Sequence, residues 1–153
     1  MSRPQLNEDA IQALMGDIHR LYSSSYYRDL KTKGIELTQA QWRILSLLAL
    51  HDGRTQSELA EIMLMEKAPF GVVLDKLEAK QMIERRPDTR DRRAKRIYIT
   101  DRVEPLIPIM RGVSKNITET AMQTLSEEDQ QQLTRILKVM RCNLNNLRQQ
   151  RNQ

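Results

Sequence analysis

The chain has 153 residues, the length of one ordinary domain, and a chain of this size folds without disulfides or a metal. Aromatic residues make up only 4%, and glycine and proline number five each, which favours an aliphatic, mainly helical protein over a turn-rich β protein. One cysteine and two histidines exclude an internal disulfide and a cysteine-based zinc site, so we expect no metal and no cofactor. The N-terminal residues carry no apolar signal core, and the longest apolar run, ILSLLAL, is far short of a membrane span, so we expect a cytoplasmic protein.

The positive charge is concentrated in one short segment. Residues 85–96 contain seven basic and two acidic residues, so this segment accounts for the whole net charge of +5. A compact excess of positive charge is typical of a surface that binds a polyanion. The alternative is a solvated basic loop, and the elements around the segment decide between the two.

Four helices are predicted before residue 81. Apolar residues spaced three and four apart indicate a helix over residues 7–33, which Gly34 ends. The capping boxes Thr38-x-x-Gln41 and Thr55-x-x-Glu58 open a second helix, which ends before the Asp52-Gly53 turn, and a short third helix over residues 56–63. A fourth helix over residues 67–80 must hold Pro69 in its first turn.

A hairpin and two long helices follow. The alternating residues 83–87 and 95–100 are predicted as strands, and the polar residues between them form the tip of the hairpin. The next helix is expected from Thr100 or Asp101 to about Leu125, with a kink at Pro108. Ser126 caps the last helix, in which apolar residues recur four and three apart.

The apolar stripes of the first and last helices predict a homodimer. A narrow seam of this kind needs a partner helix, and one small module cannot cover both stripes. The expected interface residues are Ile11, Leu14, Leu133, Leu137, Met140, Leu144 and Leu147.

The order helix, turn, helix and hairpin is that of a winged helix-turn-helix. In this plan one helix enters the major groove of DNA, and arginines of the hairpin, or wing, reach the minor groove. We therefore expect a mainly α fold with a small β-hairpin wing in a single domain. Residues 38–100 form the winged helix-turn-helix, and residues 7–33 and 101–149 form the dimerisation helices.

Five segments of the chain also match a known sequence pattern. They are LTQAQW, ELAEIM, LDKLEAKQMI, the wing DTRDRRAKRIYIT and the EPLI that follows it. The chain resembles the MarR (multiple antibiotic resistance regulator) family, near its SlyA-like branch. The resemblance implies a homodimer that binds palindromic operators in double-stranded DNA, usually as a repressor. It also implies that a small aromatic carboxylate or phenol binds between the dimerisation region and the DNA module and releases the DNA.

The residues expected to face DNA lie at the start of the third helix, on the fourth helix and in the wing. They are Arg54, Thr55, Gln56, Lys67, Ala68, Pro69, Val72, Lys76, Arg90, Arg92 and Arg93. Ala68 and Val72 can contact a thymine methyl group, so we expect A·T-leaning sites, unless both are simply surface residues. Asp91 and Arg93 are also expected to hold the shape of the hairpin through local ion pairs.

A second group of residues is the candidate effector pocket. It comprises Met15, His19, Tyr22, Tyr26, Trp42 and Arg43. Flat rings stack on an aromatic acid, and a cation binds its carboxylate. The alternative is that the rings belong to the core and that His19 is satisfied locally, while Cys142 is expected to be an ordinary thiol.

The sequence favours a regulator over an enzyme. It contains no glycine-rich phosphate loop, no nucleophile elbow and no zinc-protease helix motif. The leading hypothesis is a dimeric, ligand-responsive transcriptional regulator. The alternatives are a sequence-tolerant architectural or counter-silencing DNA-binding protein, which the apolar fourth helix favours, and a small enzyme or protein-interaction dimer that binds no DNA.

Overall fold

The computed structural model describes residues 10–91 and 93–151, and this part of the chain contains six helices and three short strands. The helices are α1 (Ile11–Thr32), α2 (Gln39–Leu50), α3 (Gln56–Met63), α4 (Lys67–Ala79), α5 (Leu106–Met122) and α6 (Glu127–Arg151). The strands are β1 (Arg54–Thr55), β2 (Ile83–Pro87) and β3 (Lys95–Ile99). The mainly helical winged helix fold predicted from the sequence is therefore confirmed. The chain divides into two compact units, of which the first ends at Lys115 and the second begins at Asn116.

The predicted helix ends form as the capping residues require. In α2 the Thr38 backbone N–H donates to Gln41 Oε1 at 3.0 Å, and the Gln41 N–H donates to Thr38 Oγ1 at 3.3 Å. Thr55 and Glu58 make the same reciprocal pair at the start of α3. At the end of α1, Gly34 adopts a φ of +75°, which glycine reaches at no steric cost.

The core of the first unit is mainly aliphatic. It joins the C-terminal half of α1 to α2, α3, α4 and the sheet. The largest fully buried side chains are Tyr26, Leu30, Ile44, Leu45, Leu48, Leu59, Phe70, Leu74, Leu77, Ile83, Ile97 and Val103. Each contributes about 1.5–3 kcal/mol of transfer free energy, so the winged module is held by its own packing.

The sheet contains one strand that the sequence did not predict. Its order is β1-β3-β2, with both pairs antiparallel, and Arg54 of β1 stands opposite Ile97 of β3. Two residues are too short to show an alternation of apolar and polar positions, which explains why β1 has no sequence signature. The strand ties the start of α3 to the base of the wing.

The predicted start of the fifth helix is wrong. Residues 101–105 form turns, in which the Val103 N–H donates to the Thr100 carbonyl at 2.9 Å, and α5 begins only at Leu106. Pro108 is therefore the third residue of α5. Backbone N–H groups in the first turn of a helix have no acceptor within the helix, so a proline there breaks no hydrogen bond and gives no reason for the predicted mid-helix kink. The helix also ends at Met122, three residues before the predicted Leu125.

Two apolar stripes stay uncovered within their own units. In the first half of α1, Ile11, Ile18 and Leu21 are each 65% exposed. In α6 no residue is buried, and the seam residues Leu137, Leu144 and Leu147 are exposed. Exposed apolar stripes of this length mark an interaction surface.

Candidate nucleic-acid interface

The outer face of α4 is set by the residues that it buries. Phe70, Leu74 and Leu77 are fully buried at spacings of four and three, so the opposite side of the helix faces solvent. That side carries all the residues predicted on this helix, which are Lys67, Ala68, Pro69, Val72 and Lys76, and all five are exposed. A helix with this exposed row fits the major groove of DNA.

The shape of the wing depends on a buried carboxylate, Asp88. One oxygen accepts the backbone N–H groups of Arg90 at 2.6 Å and Asp91 at 3.0 Å, and the other oxygen accepts a bond from the Arg96 guanidinium. The two backbone hydrogen bonds, followed by the Arg96 guanidinium, hold the pKa of Asp88 below its ordinary value. Arg96 also donates to the Gly53 carbonyl at 2.7 Å, which fastens the wing to the turn before β1.

The local ion pairs predicted for Asp91 and Arg93 are not found among the described residues. Asp91 Oδ1 instead accepts the backbone N–H of Arg93 at 2.9 Å, while the guanidinium of Arg93 stays at the surface. A carboxylate that accepts the N–H two residues further on is an ordinary local turn, and Asp88 and Asp91 both form one. Asp88 and Arg96 form an ion pair within the hairpin, and Glu84 and Arg86 form another.

The basic segment separates into structural and outward-facing residues. Arg85 is mostly buried and pairs with Glu78 and, at 2.6 Å, with Asp75, so it fastens β2 to α4. Arg86 lies over the Tyr98 ring, 4.6 Å from its centre. Among the basic residues of the wing, Arg86, Arg90, Arg93 and Lys95 are exposed, while the predicted DNA-binding residue Arg92 lies outside the described residues.

The start of α3 adjoins the wing through a polar cleft of about 490 Å³. Gln56 of α3 and Arg93 and Lys95 of the wing line it together. Thr55 also lines the cleft, but its backbone N–H and hydroxyl both donate to Glu58, and these bonds lower the pKa of that carboxyl. The neighbouring Arg54 is half-buried, and its Nε has no hydrogen-bond partner among the described residues. The structure thus brings the predicted residues of α3 next to the wing base.

A separate cavity of about 380 Å³ lies between α1, α2 and α5. Its lining residues are Tyr26, Trp42, Leu45, Ser46, Ala49, Leu50, Ile107, Met110, Arg111, Ser114 and Lys115. The rings of Tyr26 and Trp42 stand 4.7 Å apart at their centres. Burial, followed by the neighbouring Tyr22 and Tyr27, raises the pKa of Tyr26 to about 12, so its hydroxyl is a neutral donor.

The structure brings two of the six predicted pocket residues, Tyr26 and Trp42, to this cavity. The other four, Met15, His19, Tyr22 and Arg43, are not among its lining residues. His19 instead contacts Gln39, with 3.0 Å between its Nε2 and the amide nitrogen, and the Tyr22 hydroxyl lies 2.6 Å from Ser114 Oγ. The cations at the cavity belong to α5, and only the fold brings this helix beside Trp42, so no sequence pattern pointed to them.

No group of three histidine, cysteine or carboxylate side chains among the described residues is placed to hold a metal ion. None of the helices described is long and apolar enough to cross a membrane.

Comparison with known proteins agrees with this geometry. The model of the MarR family matches residues 37–95, which run from the start of α2 to the wing. The crystal structure of the transcriptional regulator SlyA is 29% identical, covers 88% of this chain and 94% of its own, and superposes with a TM-score of 0.77. A MarR transcriptional regulator from Methanosarcina mazei Go1 is 21% identical over 90% of this chain and 97% of its own, with a TM-score of 0.82.

A third solved structure contains DNA. The transcriptional repressor CouR, bound to a 23-mer DNA duplex, is 20% identical over 91% of this chain and 99% of its own, with a TM-score of 0.76. At 20% identity, the likeness to CouR shows the fold alone. The match to the family model and the 29% identity to SlyA also indicate what kind of protein this is. Together with the exposed face of α4 and the basic wing, they show that residues 37–95 match the MarR family and that the chain is similar to DNA-binding transcriptional regulators of that family.

Proposed function

We propose that this regulator is a homodimeric repressor that binds palindromic operators and is released from them by a small aromatic or phenolic anion. The observation that carries the proposal is the outward row of α4 beside the exposed arginines of the wing. Asp88 and Arg96 hold the wing in place, so little conformational entropy of the wing is lost when its cations bind DNA. When α4 lies in the major groove, the fixed cations of the wing lie close to the DNA backbone beside that groove and can bind its phosphates.

The dimer is supported by the uncovered apolar surface of α1 and α6. Ile11 and Leu14 on α1 and Leu137, Leu144 and Leu147 on α6 are exposed within their own units. Burial of such side chains against a second copy contributes about 25 cal/mol per Å² of apolar surface. A two-fold dimer carries two winged modules, which accounts for a palindromic operator whose half-sites lie about one helical turn apart.

The effector is supported by the chemistry of the 380 Å³ cavity. The rings of Tyr26 and Trp42 offer flat apolar faces, and Arg111 and Lys115 at its rim offer positive charge for a carboxylate or phenolate. Because α5 carries both cations and is followed along the chain by α6, a ligand there has a route to alter the spacing of the two modules. It shifts the equilibrium only by its difference in affinity for the two states.

Removal of two wing arginines tests the DNA interface. Arg90→Ala combined with Arg92→Ala should weaken DNA binding and lower the slope of log affinity against log salt by about 1 for each phosphate that is no longer neutralised. The measurement is fluorescence anisotropy with a labelled operator at several salt concentrations. Arg20→Ala combined with Arg28→Ala makes the same charge change on α1 and should leave the slope unchanged. Equal affinity of the wing variant and the wild type would refute the wing assignment.

The second candidate is a sequence-tolerant architectural or counter-silencing protein. It is favoured by Ala68, Pro69 and Val72 on the outer face of α4, because none of these side chains forms a hydrogen bond with a base edge. It predicts similar affinity for operator and random DNA. A preference of about 10³-fold or more for one sequence decides for the operator-binding regulator.

A further inference from the structure

The polar cleft between the start of α3 and the base of the wing contains one carboxylate among its cations. Asp75 lines this cleft together with Arg85, Arg93 and Lys95. It lies on α4, and its side chain is 68% exposed. A carboxylate beside cations that bind phosphates can pair with the same cations. Asp75 therefore competes with DNA for the wing unless another group holds it.

Arg85 holds Asp75 from the opposite side, on β2. Its Nη2 donates to Asp75 Oδ1 at 2.6 Å, and its Nη1 donates to Glu78. Asp75 and Glu78 lie three apart and so share one side of α4. Arg85 and the buried Ile83 lie two apart and so share one face of β2, which is the face turned toward α4. The register of the strand and the period of the helix thus bring the guanidinium between the two carboxylates.

Arg85 differs from the other cations of the cleft in its exposure. Only 14% of its side chain is exposed, and two carboxylates bind its guanidinium. Arg93 and Lys95 are exposed. A mostly buried arginine that already binds two carboxylates has little charge left for a phosphate, whereas the two exposed cations can reach one.

We propose that Arg85 is a positioning residue for DNA binding, which holds Asp75 away from Arg93 and Lys95 so that these two cations stay free for backbone phosphates. Arg85 itself contacts no phosphate. Without Arg85, the exposed carboxylate of Asp75 is released and pairs with a cation at the base of the wing. This role rests on the proposed function, because it requires that the wing binds DNA.

Arg85→Met tests this role, because methionine keeps an apolar stem and removes the charge. The variant should bind a labelled operator about threefold to tenfold more weakly, which is the strength of an exposed ion pair that DNA must now break. Its slope of log affinity against log salt should fall by up to about 1, because one cation of the wing is paired with Asp75. The measurement is fluorescence anisotropy at several salt concentrations.

Asp75→Asn should repair the defect. Combined with Arg85→Met, it should restore both the affinity and the salt slope, because the released side chain no longer carries a charge. On its own, Asp75→Asn should change the affinity much less, since Arg85 already holds the carboxylate in the wild type.

Glu78→Gln is the matched control. It makes the same charge change on the same helix and removes the other carboxylate that Arg85 binds, but Glu78 is not among the residues that line the cleft. Combined with Arg85→Met, it should recover little of the affinity and none of the slope. Equal recovery with Glu78→Gln and Asp75→Asn would assign the effect to net charge and overturn the proposal.

Other roles of Arg85 give different results. If Arg85 binds a phosphate directly, or serves only to fasten β2 to α4, Asp75→Asn will not restore the affinity that Arg85→Met loses. Either result overturns the proposal, as does an Arg85→Met variant that binds DNA as the wild type does.

Ser57→Asp provides the test if Arg85→Met does not fold. Ser57 is exposed, lines the same cleft and lies in the first turn of α3, where an acidic residue stabilises the helix. Because no arginine holds this carboxylate, it should weaken DNA binding and lower the salt slope. Unchanged binding overturns the role of Arg85 and leaves the proposed function standing, whereas a wild type that binds no DNA contradicts the proposed function itself.

Discussion

At the scale of single residues, two glycines differ in what a side chain would meet. Both have a backbone conformation that strains other residues, but only one would also bring a Cβ into a steric clash. Gly34 and Gly53 have φ angles of +75° and +73°, which cost an L-residue about 1–2 kcal/mol. A Cβ added at Gly34 meets open space, whereas at Gly53 it would stand 2.8 Å from Cε1 of Tyr98. Glycine is therefore needed at position 53 for two reasons, its positive φ angle and the close approach of Tyr98 on β3.

This difference predicts unequal effects of the same substitution. Gly34→Ala should lower the free energy of unfolding by about 1 kcal/mol, through the backbone alone. Gly53→Ala should cost clearly more and also weaken DNA binding, because displacement of Tyr98 disturbs the wing that Arg96 holds to the Gly53 carbonyl. Urea unfolding of both variants compares them directly. Equal losses would mean that Tyr98 moves aside freely.

The same two glycines show where sequence reasoning stops. The Asp52-Gly53 pair predicts a turn because its residue types favour one. It does not predict contact with Tyr98, which lies 45 residues further along the chain and reaches Gly53 only through the pairing of β1 with β3. The residues of α5 at the 380 Å³ cavity escaped prediction for the same reason.

At the scale of the elements, the wing is organised around the ionised form of Asp88. Its pKa is lowered in the folded protein from an ordinary value of 3.8. A depressed carboxyl pKa contributes stability that is complete above the ordinary value and is lost as the pH falls through the folded pKa. The wing should therefore be insensitive to pH near neutrality and weaken in acid below about pH 3.8.

Asp88→Asn tests this role of the charge. The variant keeps an oxygen for the Arg90 and Asp91 N–H groups but loses the ion pair with Arg96, so it should be less stable than the wild type at pH 7. The difference in free energy of unfolding should shrink below about pH 3.8, where the wild-type carboxyl is also protonated. Arg102→Gln, an exposed residue in the turn after β3, serves as the control. A difference that stays constant with pH would assign the effect to something other than the charge of Asp88.

Elements with strong local signals were predicted well, and those without them were not. The two capping boxes placed the starts of α2 and α3, because each box satisfies two backbone donors that no other arrangement nearby pairs. The start of α5 was misplaced because Thr100 and Asp101 look like a cap, while Pro105 and Pro108 are satisfied only when the helix begins just before Pro108.

At the scale of the whole molecule, the proposed dimer depends on the seam of α6. Leu137→Glu combined with Leu144→Glu puts charge at two exposed seam positions and should yield a monomer in sedimentation velocity, with operator binding lost. Gln131→Glu combined with Gln149→Glu makes the same charge change on the opposite side of α6 and should remain dimeric. If the leucine variant still sediments as a dimer, the seam is not the interface.

Recognition of particular DNA sequences by a dimer is the central property that we propose for this protein. The most direct measurement is to incubate the purified protein with sheared DNA from its own organism at physiological salt, recover the bound fragments and sequence them. We expect strong enrichment of a small number of A·T-leaning palindromic sites, with half-sites about one helical turn apart. Broad recovery without a palindrome, or no retention of DNA at all, would contradict sequence-specific binding by a dimer.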